Sequence, residues 1–243
     1  AIMSDSLVII PTYSEKENIE KMIRKVFSLP IPLHLLIVDD GSPDGTADII
    51  KRLQNEYEGK LFLEERKGKL GLGTAYIHGF KWALKRSYEY IFEMDADFSH
   101  NPDDLIRLKE ACMQGADVAV GSRYVEGGKV ENWTADRVLI SKYASVYVKM
   151  ILGINIHDTT AGFKCYKRKV LETIDFEGIN FTGYAFQIEM KYTALKLGFK
   201  IREVPITFKD RTEGVSKMSM GIFKEAFWGV LKMRFKKIKR YKS

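Results

Sequence analysis

The sequence predicts an α/β fold with a mostly parallel central sheet flanked by helices. Short apolar, β-rich runs alternate with longer helical patterns over the first half of the chain. Runs such as "LHLLIV" are apolar at every position, which fits strands buried on both faces. A polar motif follows strand after strand, as expected where loops gather at the carboxyl edge of an open parallel sheet.

Taken in order, "SLVII" (6–10) reads as a strand and "EKENIEKMIRKVFSL" (15–29) as a helix with apolar residues at three- and four-residue spacing. "LHLLIV" (33–38), "LFLEE" (61–65), "YIFEM" (90–94) and "DVAVGS" (117–122) are further strands. Between them, 46–57, 73–87 and 102–114 carry helical periodicity. Beyond about residue 123 the rhythm breaks. "EGGKVENWTADR" is polar and glycine-containing, so a loop is expected there. A helix over 138–152, a strand near "GFKCYK", a helix over 185–197 and the strand "FKIREVPI" (199–206) follow. A basic loop then leads into a terminal helix. No repeat or linker divides the chain, so residues 6–218 are expected to form one domain and 219–243 a basic amphipathic helix.

The chain has 243 residues, enough to bury a sizeable core. No run approaches the length of apolar sequence that crosses a bilayer, and no secretory leader is expected. Two cysteines, Cys112 and Cys165, are too few for a disulfide framework and suit a reducing cytosol. Net charge is +7, and seven basic residues with no acidic one lie between Ala226 and Ser243. Without them the chain is balanced, with 32 basic against 32 acidic residues. The excess therefore belongs to the tail, which suits an anionic membrane surface or nucleic acid, or else a solvated helix face.

At the strand ends, "VDDGSPDGT" offers Asp39 and Asp40 to ribose hydroxyls or a base edge; a type I turn with an N-cap is the alternative. "GLGTA" reads as a closely packed helix start more than as a phosphate loop. "DADFSH" sets Asp95 and Asp97 one residue apart after a buried strand. In an extended segment such residues project to one side, and paired carboxylates suit Mg2+ or Mn2+, hard cations that leave room for phosphate and water. A polar turn is the competing reading.

"PTYSEKEN", "VDDGSPDGT", "DADFSHNP", "GSRY", "TTAGFKCYKR" and "FKDRTEGVSKM" occur in that order. Together they resemble the dolichol-phosphate mannosyltransferases, a branch of the inverting family 2 glycosyltransferases with the GT-A nucleotide-diphospho-sugar transferase fold. The resemblance runs from about residue 6 to 220. It implies that Pro11, Tyr13 and Glu15 line a nucleotide pocket with Asp39 or Asp40 near the ribose and base. It places Asp95, Ala96 and Asp97 at the donor diphosphate, with Asp95 and Asp97 as the metal ligands. Ser99 stands where some relatives carry a glutamine ligand. Arg211, Ser216 and Lys217 would close over the diphosphate. Arg123, Arg137 and Ser141 would receive the acceptor phosphate, and Asp97, Arg123 and Arg137 would carry catalysis.

The activity so implied is metal-dependent transfer of mannose from GDP-mannose to a dolichyl or polyprenyl phosphate, giving a β-linked product. A lipid phosphate is already ionised near neutral pH and needs no strong base; positive charge at both anions is what the chemistry requires. Arginine suits phosphate because its planar fork donates two hydrogen bonds at once. The rivals are a glucosyl enzyme using UDP-glucose, a sugar nucleotidyltransferase, and a non-catalytic basic module that binds membranes. No nucleic-acid partner is expected. Phe223, Phe227, Leu231, Phe235 and Ile238 recur at helical spacing, so the terminal helix is expected to rest on the cytosolic face of a membrane as a peripheral contact, or else to dock on the catalytic core. A small membrane-embedded subunit is a second way to supply an anchor.

Overall fold

A computed structural model describes residues 4–210 and 220–241, with only the backbone of 220–225. Its main sheet runs β3-β2-β1-β4-β7-β5-β8. The strands are β1 (Ser6–Thr12), β2 (His34–Asp39), β3 (Leu61–Glu65), β4 (Tyr90–Glu93), β5 (Val118–Ser122), β7 (Lys164–Lys167) and β8 (Ile201–Pro205). All neighbouring pairs are parallel except those of β7, which runs antiparallel between β4 and β5.

The all-apolar strands are explained by two cores. Val8 and Ile10 of β1 pack with Leu35 and Ile37 of β2 on one face, beneath α1 (Ile19–Phe27), α2 (Thr46–Glu56) and α4 (Asp104–Met113). Leu7, Ile9, Leu36 and Val38 face the other way, toward α3 (Leu72–Leu84), α6 (Arg168–Thr173) and α7 (Tyr184–Lys196). These eight side chains are fully buried; each such burial contributes roughly 1.5–3 kcal/mol. Gly79 lets α3 sit close on β1, since a Cβ there would lie 2.7 Å from Ile9 Cγ2.

The second half differs from expectation in three places. Part of the expected loop 126–137 is a strand, β6 (Lys129–Glu131), paired in parallel with β9 (Thr207–Lys209). Its side chains are exposed or half-exposed, so no apolar alternation announces it. The following helix, α5, begins at Ala135 and ends at Leu152. The terminal helix, α8, spans Met220–Arg234 and not the whole tail.

Beyond α8 the chain turns back onto the domain. Lys236 pairs with the fully buried Glu189 at 2.5 Å, and Arg240 donates to the Leu197 carbonyl at 2.9 Å. Arg240 also bridges to Ile174. α8 buries Val230 and Met233 against α5 and α7, while Phe227, Trp228 and Phe235 stay exposed. Of the expected stripe, Phe227 and Phe235 are thus exposed, Leu231 is half-buried, and Ile238, beyond α8, packs against the core. Phe223 lies where side chains are not described.

Candidate functional site

The loops after β1 and β2 are stitched into one unit. Thr12 Oγ1 donates to Asp39 Oδ1 at 2.7 Å, and Ser42 donates to Asp39 through both its backbone N–H and its hydroxyl, at 2.9 and 2.6 Å. Ser14 N–H donates to Ser42 Oγ, Glu15 N–H to Thr46 Oγ1, and Lys16 N–H to Asp44. Ser14 takes a left-handed backbone with φ 57°. Pro11 and Tyr13 are half-buried beside this unit, and Lys69 lies 5.2 Å from the Tyr13 ring. Asp40 forms a forked pair with Arg66 at 2.7 and 2.9 Å, and Arg66 also donates to Thr74. Arg66 is a residue that motif reading passed over, although it lies only five residues before "GLGTA". At "GLGTA" the close-packed reading describes what is found: a Cβ on Gly73 would meet Phe186 at 2.7 Å.

After β4 the chain leaves extended geometry at once, bending through 96–100 with Phe98 at φ 60°. Asp95 and Asp97 thus stand at the start of a bend, not on one side of an extended strand. Asp95 is about 41% exposed and lines a cavity, and Tyr76 donates to it at 3.5 Å. Asp97 is buried, and its Oδ1 accepts from Ser99 N–H at 3.0 Å and from Ser99 Oγ at 2.5 Å. Ala96 packs into the core. Burial pushes His100 down to about 4 against the pull of Asp97, so the ring is neutral, and its Nδ1 accepts the Asp95 N–H at 3.2 Å. Among the described residues no cluster of three or more His, Cys, Asp or Glu side chains is arranged to hold a metal. Asp95 opens on the cavity and Asp97 follows two residues on but does not line it; a carboxylate beside space for phosphate oxygens and water is a donor type that suits Mg2+ or Mn2+.

The cavity measures about 870 Å3, a size that holds a substantial ligand. Asp95, Arg123, Arg137 and Ser141 all line it. Ile140, Tyr143, Tyr147 and Val148 of α5, with Phe227 and Val230 of α8, supply apolar walls. Arg123 follows β5 and is fixed by Asp158. Its Nε and Nη2 donate to the two carboxylate oxygens at 2.7 and 2.6 Å, and Nη2 also donates to Thr160 Oγ1 at 2.8 Å. Burial works against both charges. Mutual attraction and hydrogen bonding prevail, raising the Arg123 pKa and lowering that of Asp158. The rings of Tyr124, Phe208 and Trp133 surround the guanidinium at 5.1, 5.3 and 5.5 Å.

Among the described residues none accepts from Arg123 Nη1, so that edge of the fork is available to an anion in the cavity. Arg137 stacks on Trp133 at 4.2 Å and donates to Asp210 at 2.6 Å. Ser141 Oγ accepts from Tyr124 at 2.6 Å. Asp158, Thr160, Trp133 and Asp210 were missed from sequence. Asp158 and Thr160 belong to "DTTAGFK", so proximity to a quoted motif was the available signal. Arg211, Ser216 and Lys217 lie outside the described residues.

A parallel sheet with carboxylates and phosphate-suited arginines gathered at its carboxyl edge is the arrangement of a nucleotide-sugar transferase of the GT-A class. A profile for "Glycosyl transferase family 2" matches residues 7–175, and the chain belongs to that family and is a glycosyltransferase. It is 47% identical over 93% of its length to the polyprenol monophosphomannose synthase of Mycolicibacterium smegmatis, covering 87% of that protein. It is 44% identical over 92% of its length to the undecaprenyl-phosphate mannosyltransferase of Micrococcus luteus, covering 93% of that protein. A mannosyltransferase of Pyrobaculum calidifontis, solved with GDP-Man and Mn2+, shares the fold. Its TM-score is 0.58 at 15% identity, over 95% of this chain and 70% of that one.

Proposed function

We propose that this enzyme transfers mannose from GDP-mannose to a polyprenyl phosphate, with inversion and with a divalent cation, Mg2+ or Mn2+. One observation carries the reading beyond kinship. A single cavity opens at the same time to Asp95, to the arginines Arg123 and Arg137, and to an apolar wall made by α5 and α8. A donor diphosphate, an acceptor phosphate and the start of a lipid chain are the three chemistries such a space would receive together.

In this reading Asp95 and Asp97 hold the cation, which when bound supplies positive charge to the departing diphosphate. Arg123 Nη1, with Arg137 and the Ser141 hydroxyl, orients the lipid phosphate. One of its oxygens attacks the anomeric carbon as the bond from that carbon to the GDP oxygen breaks. The electron pair leaves with GDP, and an α-linked donor gives a β-linked product. Both reactants are anions, so placing cationic groups at each lowers their repulsion before reaction.

The α5–α8 face also supports a peripheral contact with an anionic, cytosolic membrane surface. Leu139, Tyr143, Val146 and Met150 of α5 stand exposed with Phe227, Trp228 and Phe235. Among the described residues no helix is long and apolar enough to cross a membrane. The deciding experiment offers GDP-mannose, UDP-glucose and UDP-N-acetylglucosamine with a short polyprenyl phosphate and Mg2+ or Mn2+. Mannosyl lipid from GDP-mannose is expected; glucosyl lipid from UDP-glucose instead overturns the donor assignment.

A further inference from the structure

Gln187 stands on α7, 3% exposed, in the cavity wall that also contains Asp95, His100 and Gly162. Its Oε1 accepts a hydrogen bond from Lys164 Nζ. An ammonium can only donate, so the amide oxygen is held toward Lys164 and the amide nitrogen is turned away from it. Among the described residues none accepts from Nε2, yet that atom is not one of the sealed, unpartnered polar atoms of the interior. It is a buried side chain's donor, reachable from the cavity. A Cβ added at Gly162 would lie 3.5 Å from Nε2 and 3.7 Å from His100 Cε1, so the glycine leaves the space beside this donor open.

The charge behind the amide is already balanced. Lys164 pairs with Glu93 at 3.0 Å, both fully buried, and Tyr166 donates to the same carboxylate at 3.0 Å. Gln187 therefore presents a neutral donor in a cavity whose lining also holds the charged Asp95, Arg123 and Arg137. A neutral donor suits a hydroxyl, while Arg123 and Arg137 suit phosphate. Resting on the proposed reaction, we infer that Gln187 is a substrate-contacting specificity residue whose Nε2–H donates to one hydroxyl oxygen of the transferred hexose. A site that donates to a hydroxyl discriminates against the sugar lacking it.

The test uses the full chain with Mn2+, a short polyprenyl phosphate, GDP-mannose and a set of singly deoxygenated GDP-mannose analogues, with GDP binding measured by calorimetry. Wild type is expected to disfavour one analogue by roughly five- to tenfold in kcat/KM, the worth of about one neutral hydrogen bond. Gln187→Met should use that analogue and GDP-mannose alike while its GDP affinity stays within about twofold, below the worth of a typical hydrogen bond. Three results would overturn the inference: discrimination retained in the variant, a loss confined to the KM of the lipid phosphate, or an equal loss for every donor together with weakened GDP binding. If Gln187→Met does not fold, Gln187→Glu is scored on the same panel, since it keeps an oxygen for Lys164 and removes the NH2. Failure of the proposed reaction shows separately, as a wild type that makes no mannosyl lipid. The panel is then repeated with deoxygenated analogues of whichever sugar nucleotide the wild type does use.

Discussion

Replacing Asp158 by alanine strips Arg123 of the acceptor for its backbone N–H, its Nε and one Nη2 hydrogen bond. The Arg123 side chain is 9% exposed and the Asp158 side chain 0%, so the guanidinium cannot recover those bonds from bulk water. Removing one partner of such a pair costs roughly 3–5 kcal/mol, because the other charge stays behind uncompensated. Thr160 still accepts one bond, which puts the expectation near the lower figure. Total stability of a domain is about 5–15 kcal/mol, so a variant that still folds is expected but weakened. With a urea m-value of about 3 kcal/mol/M, the midpoint should fall by about 1 M. Asp158→Asn should fall less, since one oxygen remains. The double variant Arg123→Met, Asp158→Met should recover most of the loss, since no buried charge is then left alone. A midpoint shift under about 0.3 M in Asp158→Ala, less than 1 kcal/mol at that slope, would refute the buried-pair reasoning.

The same pair predicts the acid limb of stability. The folded pKa of Asp158 lies below its unfolded value of 3.8, so the unfolded chain binds the proton first as pH falls. The pair's contribution is complete above about pH 4 and is lost below it as pH approaches the folded pKa; urea midpoints measured down to pH 3 should drop more steeply for wild type than for Asp158→Asn. Glu189→Ala leaves the N–H groups of Asn180 and Phe181 without their acceptor and the Lys236 ammonium without its carboxylate, with only the Gly178 carbonyl remaining to it, and about 3 kcal/mol or more should be lost in thermal or urea unfolding. Exchanging the exposed Leu139, Val146, Met150 and Phe235 for serine should reduce pelleting with anionic vesicles while moving the melting temperature little; unchanged pelleting removes the membrane reading of that face.

The first half of the chain was legible because its strands are buried on both faces and its helices are amphipathic, so apolar period and turn chemistry coincide. β1 through β5 fall within a residue or two of the expected runs. The second half lacked that redundancy. β6 and β9 are three residues long, exposed or half-buried with no fully buried position, and α6 is too short for its period to register. In the site, the residues of striking type, the aspartates after strands and the arginines, could be singled out in sequence. Their partners could not: Arg66 for Asp40 and Asp158 for Arg123 lie 26 and 35 positions away. A pairing of that kind is fixed by which strand ends meet, and the sequence does not state this.

The tail shows the limit in another form. Its seven basic residues made a membrane or a solvated face the natural alternatives. Charge counted along a chain is blind to carboxylates and carbonyls brought up from elsewhere. Lys236 meets Glu189, Arg234 meets the carbonyl of Leu152, and Arg240 meets that of Leu197. Part of the basic excess therefore fastens the tail to the core, and the exposed apolar residues of α5 and α8 are left as the stronger argument for a lipid surface.

The direction of β7 explains why the Arg123 part of the cavity forms where it does. A parallel strand delivers the loop that follows it to the carboxyl edge, so motifs there are sought after strands. β7 is antiparallel, and its first residue, Lys164, pairs with Glu93 at the end of β4 and with Val120 near the end of β5. It is therefore the segment before β7, residues 158–163, that arrives at the carboxyl edge. That segment carries Asp158 and Thr160 to Arg123, and Gly162 to the Gln187 amide. It is held there by Lys191, whose buried Nζ donates to the carbonyls of Thr159 and Ala161 at 3.0 and 2.6 Å. Had β7 been parallel, the same motif would have emerged at the opposite edge, and Arg123 would face the cavity with no buried carboxylate to aim it.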